Sequence, residues 1–179
     1  MIARRIHETC EGGFTLIELT IVLVILGFAA LFVMPKFGSI THANLKREAR
    51  LLCGTVRHLF NNAVLQKQVL ALVYDLDKEA YFVQSLSFQG TEPVWTDDTS
   101  GLVSRHALPD SVAFEDVQSY ESGFERRTQG RTYSLFRPDG FAEPVWIHLI
   151  DTAENRMTLE VAPLTGICTI QTGYVAAPE

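Results

Sequence analysis

Cysteine is scarce in this chain. Three occur in 179 residues, at Cys10, Cys53 and Cys168, and no two of them form a C-x-x-C pair. A disulfide-dense scaffold and a cysteine zinc site are both excluded by that count. Basic charge is also in deficit, with 15 Lys and Arg against 21 Asp and Glu. The motifs of common catalytic machineries are missing: no G-x-S-x-G, no H-E-x-x-H, no Walker loop and no G-x-G-x-x-G. His42 and His58 fall in a helical pattern, while His106 and His148 stand apart among strand and loop residues. Asp75-Leu76-Asp77 does not open a calcium loop, because an EF-hand needs Gly where Ala80 stands and Glu where Leu86 stands. The expectation is a protein with no catalytic residues, no metal and no cofactor, and not an enzyme.

The most telling shortage is of charge between Phe14 and Met34. Among those 21 residues Glu18 is the single charged one. At about 1.5 Å per residue such a helix reaches roughly 30 Å, the depth of a bilayer's hydrocarbon core. A carboxylate there costs about 2.5–3.5 kcal/mol on insertion scales, so the acid asks for a partner. A secretory h-region is shorter and ends at a small-x-small site. Here Phe32-Val33-Met34-Pro35-Lys36 follows instead. Ahead of the run, Arg4 and Arg5 are balanced by Glu8 and Glu11.

The junction, Gly12-Gly13-Phe14-Thr15-Leu16-Ile17-Glu18, resembles the N-terminal signature of the type IV pilin and type II secretion pseudopilin family. The resemblance implies that a prepilin peptidase removes residues 1–13 by cutting between Gly13 and Phe14, then methylates the Phe14 amine. Glu18 would become the fifth residue of the product and Pro35 the twenty-second, both positions the family uses. A methylated amine keeps its charge, so Phe14 of one subunit can neutralise Glu18 of the next in low dielectric. Assembly in register is the implied consequence.

Past the apolar run, Leu45, Ala49, Leu52, Val56, Leu59 and Ala63 recur at helical spacing, with Lys46, Arg47, Arg50 and Arg57 on other faces. Pro35, which removes a backbone donor, and Gly38 lie between the two segments and predict a bend. Beyond residue 68 the period changes to two. Residues 69–74 and 80–83 predict a hairpin, and residues 87–104 read as a long exposed connection. Further strands are expected from Leu108 to about Val117, over Tyr133–Phe136, Val145–Leu149 and Met157–Val161, and over Cys168–Ile170. One long helix followed only by strands is an α+β chain, its transmembrane and amphipathic halves leading into an antiparallel sheet that covers the apolar stripe. The segments are 1–13 (leader), 14–34 (transmembrane), 35–68 (amphipathic helix) and 69–179 (head). Cys53 and Cys168 are expected as two buried free thiols, with a disulfide between them as the alternative.

Within the family, the head resembles the general secretion pathway protein H branch of minor pseudopilins. The carrying segments are Leu108-Pro109-Asp110-Ser111-Val112, Phe136-Arg137-Pro138-Asp139-Gly140, and Leu159-Glu160-Val161 leading to Leu164-Thr165-Gly166. After that last turn the family often has a basic residue, whereas Ile167 stands here. The resemblance implies a non-enzymatic minor pseudopilin of a type II secretion system, held in the inner membrane with its N-terminus cytoplasmic and its head periplasmic. It would join a tip complex of the pseudopilus and serve export across the outer membrane. Implied partners are other major and minor pseudopilins, the prepilin peptidase, the inner-membrane assembly platform, the lipid bilayer and secreted cargo. The alternative is a minor pilin of a type IV pilus, for assembly or DNA uptake. Residues 68–179 hold seven Lys and Arg against 17 Asp and Glu, so no nucleic-acid partner is expected. Trp95, in a polar stretch beside Pro93, is the candidate for partner contact, and Trp146 is expected in the core.

Overall fold

A computed structural model describes residues 15–33, 35–89, 92–97 and 105–178, without the side chains of residues 30–40 and 89. Two compact units meet between Phe37 and Gly38. The first holds helix α1, Leu16–Val33. Thr15 starts it: its hydroxyl accepts the Glu18 amide at 3.3 Å and its carbonyl accepts the Leu19 amide at 3.2 Å.

The second unit begins inside helix α2, Pro35–Gln66. Proline suits a first helical position, where its missing donor goes unneeded. All six apolar stripe residues are buried: Leu45, Ala49, Leu52, Val56 and Ala63 are fully inaccessible and Leu59 nearly so. Each larger one contributes about 1.5–3 kcal/mol by leaving water.

Nine strands follow among the described residues. Strands β1 (Leu70–Asp75), β2 (Ala80–Gln89), β3 (Glu92–Asp97), β4 (His106–Ala107) and β6 (Arg131–Phe136) make one antiparallel sheet, ordered β3-β2-β1-β6 with β4 also on β2. Strands β5 (Val112–Ser119), β7 (Val145–Asp151), β8 (Arg156–Val161) and β9 (Cys168–Thr172) make a second, ordered β5-β7-β8-β9. Leu72, Tyr74 and Val83 of the first sheet and Val117, Ile147, Leu149 and Leu159 of the second share one core with the α2 stripe. The fold is α+β, a helix packed on antiparallel sheets, as the change of period implied.

The β1–β2 hairpin forms where expected, closed by a 3-10 turn over Leu76–Lys78. Strands β8 and β9 pair across the Pro163–Gly166 turn. Three expectations need correction. The connection read over residues 87–104 is partly strand, because β2 runs on to Gln89 and pairs with β3 from Gln84↔Asp97 to Gln89↔Glu92. Polar side chains bond across this hairpin, with Gln84 donating to Asp97 at 2.9 Å and Ser87 to the Val94 carbonyl at 3.2 Å, so polarity did not mean loop. The strand expected from Leu108 begins at Val112, since the Val112 amide closes a turn onto the Pro109 carbonyl at 2.8 Å. Cys53 and Cys168 are not free thiols: they form a disulfide joining α2 to β9, Cα atoms 5.3 Å apart. The β8–β9 turn brings Cys168 under the helix, within the span a disulfide bridges.

Candidate functional site

Glu18 lies in the first turn of α1, three residues after the capping Thr15. Thr-x-x-Glu at a helix start is the capping-box arrangement, and a carboxylate there also meets the positive end of the helix dipole. Part of what the acid needs is therefore supplied by its own helix. Around it, Leu16, Ile17, Leu19, Leu23 and Phe28 are all exposed. A helix apolar on every face belongs in lipid or among other helices. Among the described residues no helix is long and apolar enough to cross a membrane; the apolar run in the sequence continues through residues 30–34, beyond the described side chains. Gly13 and Phe14 lie outside the described residues. Pro35 is placed as the first residue of α2, without a described side chain.

Trp95 stands on β3, 41% exposed, paired with Leu86. It lines a hollow of about 120 Å³ with Ala71, Val73, Gln84 and Tyr133 on the outer face of the first sheet. Phe88 on the same hairpin is also exposed. Trp146 is buried, as expected, with Phe124 set edge-on at 5.6 Å.

Polar clusters were less legible. Asp116 is fully buried on β5 and accepts hydrogen bonds from Arg126 at 2.8 and 3.2 Å. His148 Nδ1 lies 2.8 Å from Asp116 Oδ1, and its Nε2 lies 2.8 Å from the Val175 carbonyl. Tyr174 stacks on His148 at 4.0 Å. Burial pushes the Asp116 carboxyl upward, but the hydrogen bonds and charges of His148 and Arg126 outweigh it and hold the group below its usual range. Asp75 is treated alike by Arg105 at 2.7 Å and Arg131 at 2.9 Å, which overcome its burial. Glu48, on the inner side of α2, is buried with His106 Nε2 at 2.8 Å. No signal in local spacing announces these pairs, because their members lie between 10 and 58 residues apart. They tie loops, helix α2 and the C-terminal segment to the sheets. Among the described residues no group of three or more potential metal ligands exists.

Residues 9–34 match the prokaryotic N-terminal methylation motif. The chain is similar to the minor pseudopilin EpsH from the type 2 secretion system of Vibrio cholerae, with a TM-score of 0.53 and 12% identity over 74% of this chain and 97% of that one. It is also similar to the solution structure of Escherichia coli GspH, with a TM-score of 0.55 and 13% identity over 73% of this chain and 90% of that one. No match was found among curated proteins. The chain thus combines an N-terminal methylation motif with an α+β head. More particularly, the head has the fold seen in the minor pseudopilins EpsH and GspH.

Proposed function

We propose that this chain is a non-enzymatic minor pseudopilin of a type II secretion system. The carrying observation is Glu18 in the first turn of a helix otherwise apolar on every face, within a matched methylation motif. In this reading residues 14–34 anchor the chain in the inner membrane and residues 69–179 form a periplasmic head. Cleavage between Gly13 and Phe14 frees an amine that becomes N-methylated. That amine pairs with Glu18 of the adjoining subunit, and the chain enters the tip complex of the pseudopilus. The fold shared with EpsH and GspH supports the choice of system, and the acidic head argues against DNA uptake.

Mass spectrometry of the protein recovered from its host's membranes tests the first step. The expected N-terminus is N-methylated Phe14, and an intact Met1 overturns the reading. Glu18→Ala should still reach the membrane yet fail to enter the filament, with export lost. Normal export by that variant removes the pairing role.

A further inference from the structure

Sheet edges in folded proteins are usually blunted by proline, charge or bulges, because bare ones recruit foreign strands. Three edges here are managed in that way. Strand β3 carries Glu92, Pro93 and Asp97, β5 is irregular between Phe114 and Asp116 and bridged to Arg127, and Phe136 at the end of β6 bridges to Ala142. Strand β9 is different. Ile167-Cys168-Thr169-Ile170-Gln171-Thr172 has no charge and no proline, and four of its six residues are β-branched. Among the described residues no strand pairs with its outer side.

The phase of its hydrogen bonding is set at both ends. The Ala162 amide donates to the Ile167 carbonyl at 2.9 Å, and the Gly173 amide donates to the Arg156 carbonyl at 2.8 Å. Alternate residues therefore turn toward β8, and the amides and carbonyls of Cys168, Ile170 and Thr172 point away from the sheet. The disulfide from Cys168 to Cys53 holds this edge against α2. Alongside it runs a groove of about 550 Å³ whose walls include Gly54, Arg57 and Phe60 from the helix and Gly166 and Ile167 from the turn. Nothing lies within 4 Å of where a Gly54 side chain would start. Ile170, two residues along the strand from Cys168, is exposed.

We propose that β9 and this groove receive an extended strand of another protein, which adds a fifth strand to the second sheet beneath α2. Backbone pairing would come from Cys168, Ile170 and Thr172, and the inward side chains would fill the space against Phe60. Among the described residues lining the groove Arg57 alone is charged, so the strand it fits carries a carboxylate. A second copy is a poor occupant. Joining two β9 edges about a two-fold axis places both α2 helices on the same face, bringing two Arg57 groups and their basic neighbours together.

The test uses the full chain in detergent micelles and a labelled peptide, Thr-Val-Thr-Val-Glu-Val-Thr-Val, read by fluorescence anisotropy. Saturable binding is expected, weakened at least about tenfold when alternate peptide nitrogens on one edge are methylated, which removes donors without changing charge. Ile170→Pro should weaken it similarly while leaving the fold intact, because the amide removed points away from β8. Arg57→Glu should reverse the preference toward the same peptide with Lys in place of Glu. Absence of saturable binding to either peptide overturns the proposal, as does binding indifferent to N-methylation. Self-association of the chain that Ile170→Pro abolishes would also overturn it, in favour of a second copy. The result is independent of leader cleavage, so the filament reading and this one fail separately.

Discussion

A methyl group added at Gly166 would stand 2.6 Å from the ring of Phe60. Gly166 also has φ +59, in the left-handed region that β-carbons disfavour. The β8–β9 turn therefore depends twice on one missing side chain: once to bend, and once to let the helix lie against it.

Gly166→Ala should lower stability by roughly 2–4 kcal/mol, from backbone strain and overpacking together. In a Phe60→Ala background, which removes the ring but keeps the β-carbon 2.8 Å from the added methyl, the same change should cost less by about 1 kcal/mol. Urea unfolding of the four variants measures the coupling. Equal losses in both backgrounds would remove the contact as a cause.

Loss of the Cys53–Cys168 bridge should cost about 2–5 kcal/mol, at the upper end because 115 residues separate the two cysteines. Melting the protein with and without reductant, beside a Cys53→Ala/Cys168→Ala variant, reads that cost. Reductant should lower the Tm of the parent and leave the variant unchanged. Titration of both Cys53 and Cys168 as thiols in the unreduced, unfolded parent would contradict the bridge.

Acid should unfold the head through its buried aspartates. Asp116, Asp75 and Asp151 each have carboxyls held below the ordinary range in the folded state: burial opposes this, and Arg, His or Asn partners prevail. Unfolding returns them to ordinary values. Their contribution is thus complete above the usual carboxylate range and lost as pH falls through the folded values. Glu79 and Glu143 are raised chiefly by burial and act in the opposite sense, losing their contribution as pH rises. Asp116→Asn should cost about 3 kcal/mol at neutral pH and flatten the acid limb of the stability curve. An unchanged acid limb would show that Asp116 does not drive it.

Trp95→Ala tests the partner-contact expectation. Because Trp95 remains 41% exposed over a shallow hollow, its removal should cost only about 1 kcal/mol of stability. Protein export by the variant should nonetheless fall sharply. Export at the parental level would leave Trp95 as a cover for Ala71 and Val73.

Much of this architecture was legible because it rests on local periodicity. The stripe from Leu45 to Ala63 could be read at helical spacing and is buried along its whole length. Residues 69–83 alternate and turn at a polar cluster, and they form the β1–β2 hairpin. The N-terminal motif, too, is a string of adjacent residues, and Glu18 draws attention through a local contrast of charge against apolar neighbours.

What sequence alone determined is the class of each segment: an apolar helix with one acid, an amphipathic helix, then strands under a thin supply of basic charge. Period, charge and chain order are properties of neighbours, and neighbours are visible in one dimension. Tertiary structure decided which distant residues meet. It separated β6 and β7 into different sheets across Arg137–Gly140, buried Asp116 beside His148, closed Cys53 onto Cys168 and left β9 as a bare edge. Those outcomes depend on how two sheets share one helix face. Packing of that kind is settled by shape and burial over the whole head, and no local run of residues encodes it.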